Sequence, residues 1–242
     1  MEVPVQSTRR PRPAADPHRP ESPRPPRRAA RLVVVCLVAS AAVSVLDTVV
    51  AIGNYEGRIV AVTHGSPDVL VAYVVHELLA LLAPADTVIG VLAALRLLTL
   101  VGTAAAFVTW LVLARRNAVR LGGAPRWAPA WAVGGWFVPV ANLVIPYLVV
   151  RDVWRASDPS DEPAVTVPEA PVRRWWTALI STVFLHGVAA VYLTERLAAR
   201  PVTYPLWCAG TAALVATAVL TGRVVLRTTG AQRELVARPG RR

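Results

Sequence analysis

With 242 residues, 55% of them hydrophobic, and a formal net charge of +11, the chain is too apolar for an ordinary soluble domain and too short for several large ones. All 26 basic residues are arginines set beside apolar stretches, so the charge reads as a membrane-topology signal and nucleic-acid binding is set aside. The exclusive use of arginine suggests a GC-rich, bacterial genome. Cys36 and Cys208 fall inside apolar stretches without CxxC or Cys/His company and read as small buried hydrophobes.

Residues 1–31 carry eight arginines among many prolines, a composition that cannot bury a core and predicts a disordered basic tail. A first span follows over 32–52, in which only Asp47 needs explaining, because Ser40, Ser44 and Thr48 can bond back to their own helix. This stretch is longer than a signal-peptide core and lacks an A-x-A-like cleavage site, so it is expected to stay as an anchor. The stretch Asp68 to Ala83 is short and interrupted by His76 and Glu77, which predicts a helix at the outer interface. A second span covers 87–114 and contains Arg96.

The segment 127–150 is apolar over 24 residues, long enough to enter a bilayer, yet Gly134, Gly135, Pro139, Asn142 and Pro146 forbid one straight helix. The stretch 157–172, with four acids and four prolines, reads as a flexible linker. Spans over 175–194 and 206–222 complete the membrane domain, 32–222, and the basic tail 223–242 could continue as a short interfacial helix.

Arginine placement decides how the broken segment runs. If 127–150 enters and leaves on one side, 22 arginines are cytoplasmic and three are outside; if it crosses, the split is 14 to 11. Short loops rich in Lys/Arg stay in the cytoplasm, so the first arrangement is expected. Six of the eight tryptophans (Trp127, Trp131, Trp136, Trp154, Trp175 and Trp176) then lie at the cytoplasmic interface, which amphipathic rings prefer. The expected fold is an all-α integral membrane protein of the cell membrane, multi-pass, with both termini cytoplasmic. It has four transmembrane helices, a Pro/Gly-broken re-entrant or interfacial hairpin, and an outer interfacial helix.

Within the broken segment, Pro139 ends a first arm, Asn142 is placed to cap a second through its side-chain oxygen, and Pro146 falls in the first helical turn, where a missing amide matters least. Asn142 is also a candidate for a polar binding or permeation site. Arg115, Arg116, Asn117 and Arg120 emerge beside Trp136, Tyr147, Arg151, Trp154 and Arg155, and together form a candidate cytoplasmic docking surface; the planar forks of arginine suit anionic headgroups, phosphate or carboxylates. Inside the bilayer, Asp47 and Arg96 lie at similar depths on antiparallel neighbours and are expected to pair, and His186 could titrate or hydrogen-bond across helices.

A metal site from His64, Asp68, His76, Glu77 and Asp86 lacks ligand-like spacing, and no metal or cofactor is expected. No GxSxG, Walker or Rossmann pattern is present, which leaves no positive case for an enzyme.

The residues RRNAVRLGG at Arg115 to Gly123, followed by the W-x3-W-x4-WF run, P-x-A-N, the PY pair and the RDVWRAS ending, resemble the bacterial membrane family catalogued as domain of unknown function 4328. The resemblance is specific from about Phe107 to Asp158 and rests on hydropathy elsewhere. It implies a multi-spanning membrane protein and supplies no activity, substrate or catalytic residue. Two function classes therefore stand. One is a non-enzymatic envelope protein whose Arg/Trp surface meets lipid headgroups, an unidentified protein partner or a second copy of the chain. The other is a small transporter or channel with a pathway lined by the broken segment.

Overall fold

A computed structural model of the protein describes residues 24–53, 87–159, 168–194 and 200–238, and among these every regular element is helical. In chain order they are α1 (Arg27–Gly53), α2 (Thr87–Arg120), the single turn α3 (Trp131–Gly134), a 3-10 turn (Ala141–Leu143), α4 (Ile145–Ala156), α5 (Ala170–Thr194) and α6 (Arg200–Ala237). The expected outer interfacial helix at Asp68 to Ala83, residues 1–23 of the basic tail and residues 160–167 of the linker lie outside the described residues.

Three stretches, Arg27–Val50, Gly90–Arg120 and Pro205–Ala237, are long and apolar enough to cross a membrane. At about 1.5 Å rise per residue even the shortest exceeds the roughly 30 Å of a hydrocarbon core. Their outward surfaces are apolar, with Val35, Val38, Leu98, Leu100 and Val219 exposed, which a water-facing bundle would avoid. The chain is a membrane protein. The helices overrun the spans expected from sequence: α1 begins at Arg27, α2 continues to Arg120, and the stretch 206–222 is the middle of the 38-residue α6, which absorbs most of the basic tail. An arginine at the hydrocarbon boundary does not end a helix, because its long stem lets the charge reach water while the backbone continues.

Packing follows small residues and hydroxyls. α1 lies against α2 and α6, α5 lies against α6, and α4 bridges α2 and α5. Paired side chains give the directions: Ser40 with Thr103 and Asp47 with Arg96 make α1 and α2 antiparallel, whereas Trp175 with Thr221 and Thr182 with Thr217 do the same for α5 and α6. Trp110 with Thr229 and Asn117 with Gln232 make α2 and α6 parallel. The four long helices thus run in the order α2, α1, α6, α5, and α4 closes the ring at one end, called below the hairpin end.

The core gathers at that end. Trp110, Leu111, Val33, Val172, Trp175, Val224 and Val225 are all but inaccessible, and α4 adds Val149, Val150, Val153 and Trp154 from one face. Within a bilayer these side chains stabilise the bundle by close packing rather than by removal from water. Arg155, on the other face of α4, stays exposed, so this helix turns a single apolar stripe toward the bundle.

Candidate functional site

The broken segment is a hairpin held at both ends and bare at its tip. At its start, Asp152 of α4 accepts the backbone N–H groups of Arg126 and Trp127 at 2.5 and 3.3 Å, and Arg115 of α2 donates to the Trp127 carbonyl. One peptide stretch is thereby gripped by a carboxylate and a guanidinium from two different helices. From there α3 makes one turn, and Gly135 passes so close to Ile145 that a Cβ on it would stand 2.8 Å from the Ile145 Cγ2 and 2.9 Å from the Trp131 carbonyl oxygen. Glycine is needed at that crossing.

The tip is apolar and uncovered: Phe137 is 78% exposed and Val140 82%, with Val138, Leu143 and Val144 also open. Val140 sits at φ 64°, a region that β-branched residues rarely occupy. The chain returns through the 3-10 turn into α4, where Pro146 lies in the first turn as expected. Val144 holds the N-cap position with no side-chain hydrogen bond, while Asn142 lies in the preceding turn and is exposed, so it does not cap α4.

Behind the hairpin, Phe107 is the hub of an aromatic cluster, its ring centroid 5.5 Å from Trp110, 5.9 Å from Trp136 and 5.7 Å from Trp175. Trp176 extends it to Trp136 and Tyr147 at 6.5 and 6.2 Å. Most of the tryptophans that the sequence placed at one interface are therefore packed together at one end.

The residues expected to form a docking surface separate into two sets. Arg115, Asn117 and Trp154 are buried, Trp136 and Tyr147 are half-buried in the cluster, and Arg116, Arg120 and Arg155 are exposed, with Arg151 intermediate. Arg155 and Arg151 both reach Glu169, just before α5, the latter at 3.9 Å, and Trp154 Nε1 donates to the Pro168 carbonyl at 3.2 Å. Exposed Arg31, Arg174, Arg223 and Arg227 come to the same end on α1, α5 and α6. The hairpin end is thus rimmed by guanidinium groups from every long helix, and Arg227 stacks 5.3 Å above the Trp154 ring.

Toward the opposite end lies a second polar group of residues. Asp47 and Arg96 pair at 3.2 Å, their side chains 10% and 23% exposed. Either charge alone inside a bilayer would cost about 2.5–3.5 kcal/mol on insertion scales, which the pair offsets. Beside Asp47, Thr48 pairs with Thr211 at 2.6 Å; His186 lies against Gly210 with its Nδ1 2.9 Å from the Thr182 carbonyl oxygen. Among the described residues, Asp47 and Arg96 are the charged groups within electrostatic reach of the imidazole. Asn142 does not join this group, since it lies at the hairpin tip beyond α3. Among the described residues no group of three His, Cys, Asp or Glu side chains is arranged to hold a metal.

The family model described as Domain of unknown function (DUF4328) matches residues 76–230. The chain belongs to the DUF4328 family. No curated protein and no solved structure matches it. The DUF4328 match takes in α2, the hairpin, α4, α5 and most of α6; it begins after α1, so Asp47 and Thr48 lie outside it and Arg96, His186 and Gly210 within.

Several residues that organise the DUF4328 hairpin end were not singled out from sequence. Gln232 is fully buried and donates to the Ala114 carbonyl at 2.8 Å and to Ser157 Oγ at 2.9 Å, while its Oε1 accepts from Asn117 Nδ2 at 2.9 Å. Ser157 in turn donates to the Val153 carbonyl at 2.8 Å. Thr221 and Thr229 accept the indole N–H groups of Trp175 and Trp110 at 3.0 and 3.1 Å. A usable signal was present: Thr217, Thr221, Val225, Thr228, Gln232 and Leu235, all buried, recur at helical spacing straight through what reads as a basic tail.

Proposed function

We propose that the protein is a multi-pass protein of the cell membrane, with four spans and both termini in the cytoplasm, that anchors anionic lipid headgroups around a hairpin dipping into the inner leaflet. The observation that carries this reading is the exposed apolar tip, Phe137 to Val144, set within a rim of exposed arginines. An apolar wedge flanked by guanidinium groups suits the boundary between hydrocarbon and phosphate. Each arginine near an anionic surface contributes about 1 kcal/mol, so the rim supplies several. α5, which packs along α6, supplies the fourth span, with Arg173 and Arg174 near its start standing at the headgroup level.

Arg115, Asn117 and Trp154 act in this reading as internal supports, and the headgroup contacts fall to Arg116, Arg120, Arg155 and Arg174. Thermal stability in nanodiscs tests it. Phosphatidylglycerol added to phosphatidylcholine should raise the Tm of the wild type through binding to the folded state, and Arg116→Gln/Arg120→Gln/Arg174→Gln should erase that increment. An equal Tm in both lipids, or an equal increment in the triple variant, rejects headgroup binding; capture of a partner protein without lipid dependence rejects it too.

A small transporter is the second reading, favoured by one observation: the cluster of Asp47, Arg96 and His186 within the helices. The exposed position of Asn142 at the hairpin tip offers that reading no lining residue from the broken segment.

A further inference from the structure

Four helices bring polar groups to one level of the bundle. The register of α1 on α2 sets Asp47 opposite Arg96, that of α1 on α6 sets Thr48 opposite Thr211, and that of α6 on α5 sets Gly210 against His186. Because Asp47 and Thr48 are adjacent, as are Gly210 and Thr211, all three pairings fall in a single layer. We infer that Asp47, Arg96 and His186 form one intramembrane proton-binding site, in which His186 Nε2 takes the proton.

A purely structural ion pair does not account for this arrangement. Asp47 and Arg96 already neutralise each other, so nothing in that pair requires an imidazole at the same level. The imidazole is also oriented. Its Nδ1 lies 2.9 Å from the Thr182 carbonyl oxygen, an acceptor, so Nδ1 carries the hydrogen and donates. The tautomer leaves the lone pair on Nε2, and Nε2 makes no hydrogen bond among the described residues.

Gly210 gives the ring its place: a Cβ there would stand 3.2 Å from Cε1, 3.4 Å from Nδ1 and 3.6 Å from Nε2. Among the described residues, the charged groups that face His186 come from two helices, Asp47 on α1 and Arg96 on α2. From α6 the layer receives Gly210 and Thr211, and from α5 itself Thr182, none of which is charged.

The chemistry balances simply. A proton from water bonds to the Nε2 lone pair, imidazole becomes imidazolium, and no other bond forms or breaks. The Asp47 carboxylate offsets the new positive charge, while the Arg96 guanidinium opposes it and holds the carboxylate in place. The Arg96 side chain is 23% exposed, so the layer is not closed off from the surface of the bundle. This inference concerns the helices alone and does not depend on headgroup binding at the other end.

The test is a pH titration of histidine-labelled protein in phosphatidylcholine nanodiscs, followed by ¹⁵N NMR, with His186→Gln identifying the signal among the four histidines of the chain. His186 is expected to titrate as a single group within the pH range over which the protein stays folded. Asp47→Asn and Arg96→Gln should displace its midpoint in opposite directions, each by about half a unit or more, and Asp47→Asn/Arg96→Gln should bring it back toward the wild type. Asp47→Glu and Arg96→Lys, which keep the charges, should leave the midpoint near its original value even if the neutral variants fail to assemble. A His186 signal that does not change across this range in the wild type overturns the inference, as does a midpoint that is the same in every variant.

Discussion

Replacing Gln232 by leucine tests how the hairpin end is held together. The side chain is fully buried and links three elements: Ala114 and Asn117 of α2, its own helix α6, and Ser157 at the end of α4. Leucine has a similar volume, so the cost is polar rather than a cavity. The Ala114 carbonyl keeps its place in the helix ladder, and Ser157 keeps its bond to Val153, so losing those two contacts costs about 0.5–1.5 kcal/mol each. Asn117 is the expensive partner. It is buried, its Oδ1 already lacks a protein partner among the described residues, and its Nδ2 would be stranded as well, at about 1–3 kcal/mol. The expected loss is therefore about 2–6 kcal/mol.

Equilibrium unfolding in mixed detergent micelles, read by tryptophan fluorescence, measures it. The control is a double-mutant cycle: Asn117→Leu alone strands Gln232 Oε1, while Asn117→Leu/Gln232→Leu strands neither. The double variant should thus be more stable than the sum of the single losses implies, by at least about 1 kcal/mol. Additive losses, or a Gln232→Leu variant within about 0.5 kcal/mol of wild type, refute the reasoning.

Other expectations follow from the same geometry. Gly135→Ala should lower stability by about 1–3 kcal/mol, because the new methyl meets Ile145 and the Trp131 carbonyl, whereas Gly134→Ala, with nothing within 4 Å, should be tolerated or slightly stabilising; paired Tm measurements separate them. Asp152→Asn keeps one acceptor oxygen but loses the charge that grips two backbone amides, so the Arg126 to Ala130 stretch should become more sensitive to added protease in detergent while the long helices stay intact. Asp47→Leu removes the carboxylate that Arg96 meets at 3.2 Å and should destabilise the protein, and Asp47→Leu/Arg96→Leu should recover part of that loss in the same unfolding assay.

Much of this fold was legible in the chain because membrane helices announce themselves by length and apolarity. The Asp47 to Arg96 pair was legible for a related reason: a charge inside an apolar run needs a partner, and antiparallel neighbours at equal depth supply one. The broken segment was legible from Gly134, Gly135, Pro139 and Pro146, whose backbone restrictions are local. Its internal geometry was not. Asn142 looked like a helix cap, but the 3-10 turn moves the start of α4 to Val144 and leaves Asn142 exposed.

Reading a helix end at the first arginine was the other source of error. It stopped α2 at 114, although the helix continues to Arg120 and turns Arg115 and Asn117 inward against the hairpin and α6. For the same reason Gln232 fell in a presumed tail, when it is the buried centre of a polar network that sequence alone does not pair.

The account rests most heavily on the hairpin entering and leaving by one face of the membrane, and cysteine labelling on either side of it tests that directly. In a Cys36→Ser/Cys208→Ser background, Ala124→Cys precedes the hairpin and Arg173→Cys follows it, both at exposed positions. With an impermeant maleimide, neither should label in intact cells and both should label once the membrane is permeabilised, with Ala198→Cys as the outside reference. Labelling of Ala124→Cys and Arg173→Cys from opposite sides would mean that the broken segment crosses, and the hairpin and its cytoplasmic arginine rim would have to be given up.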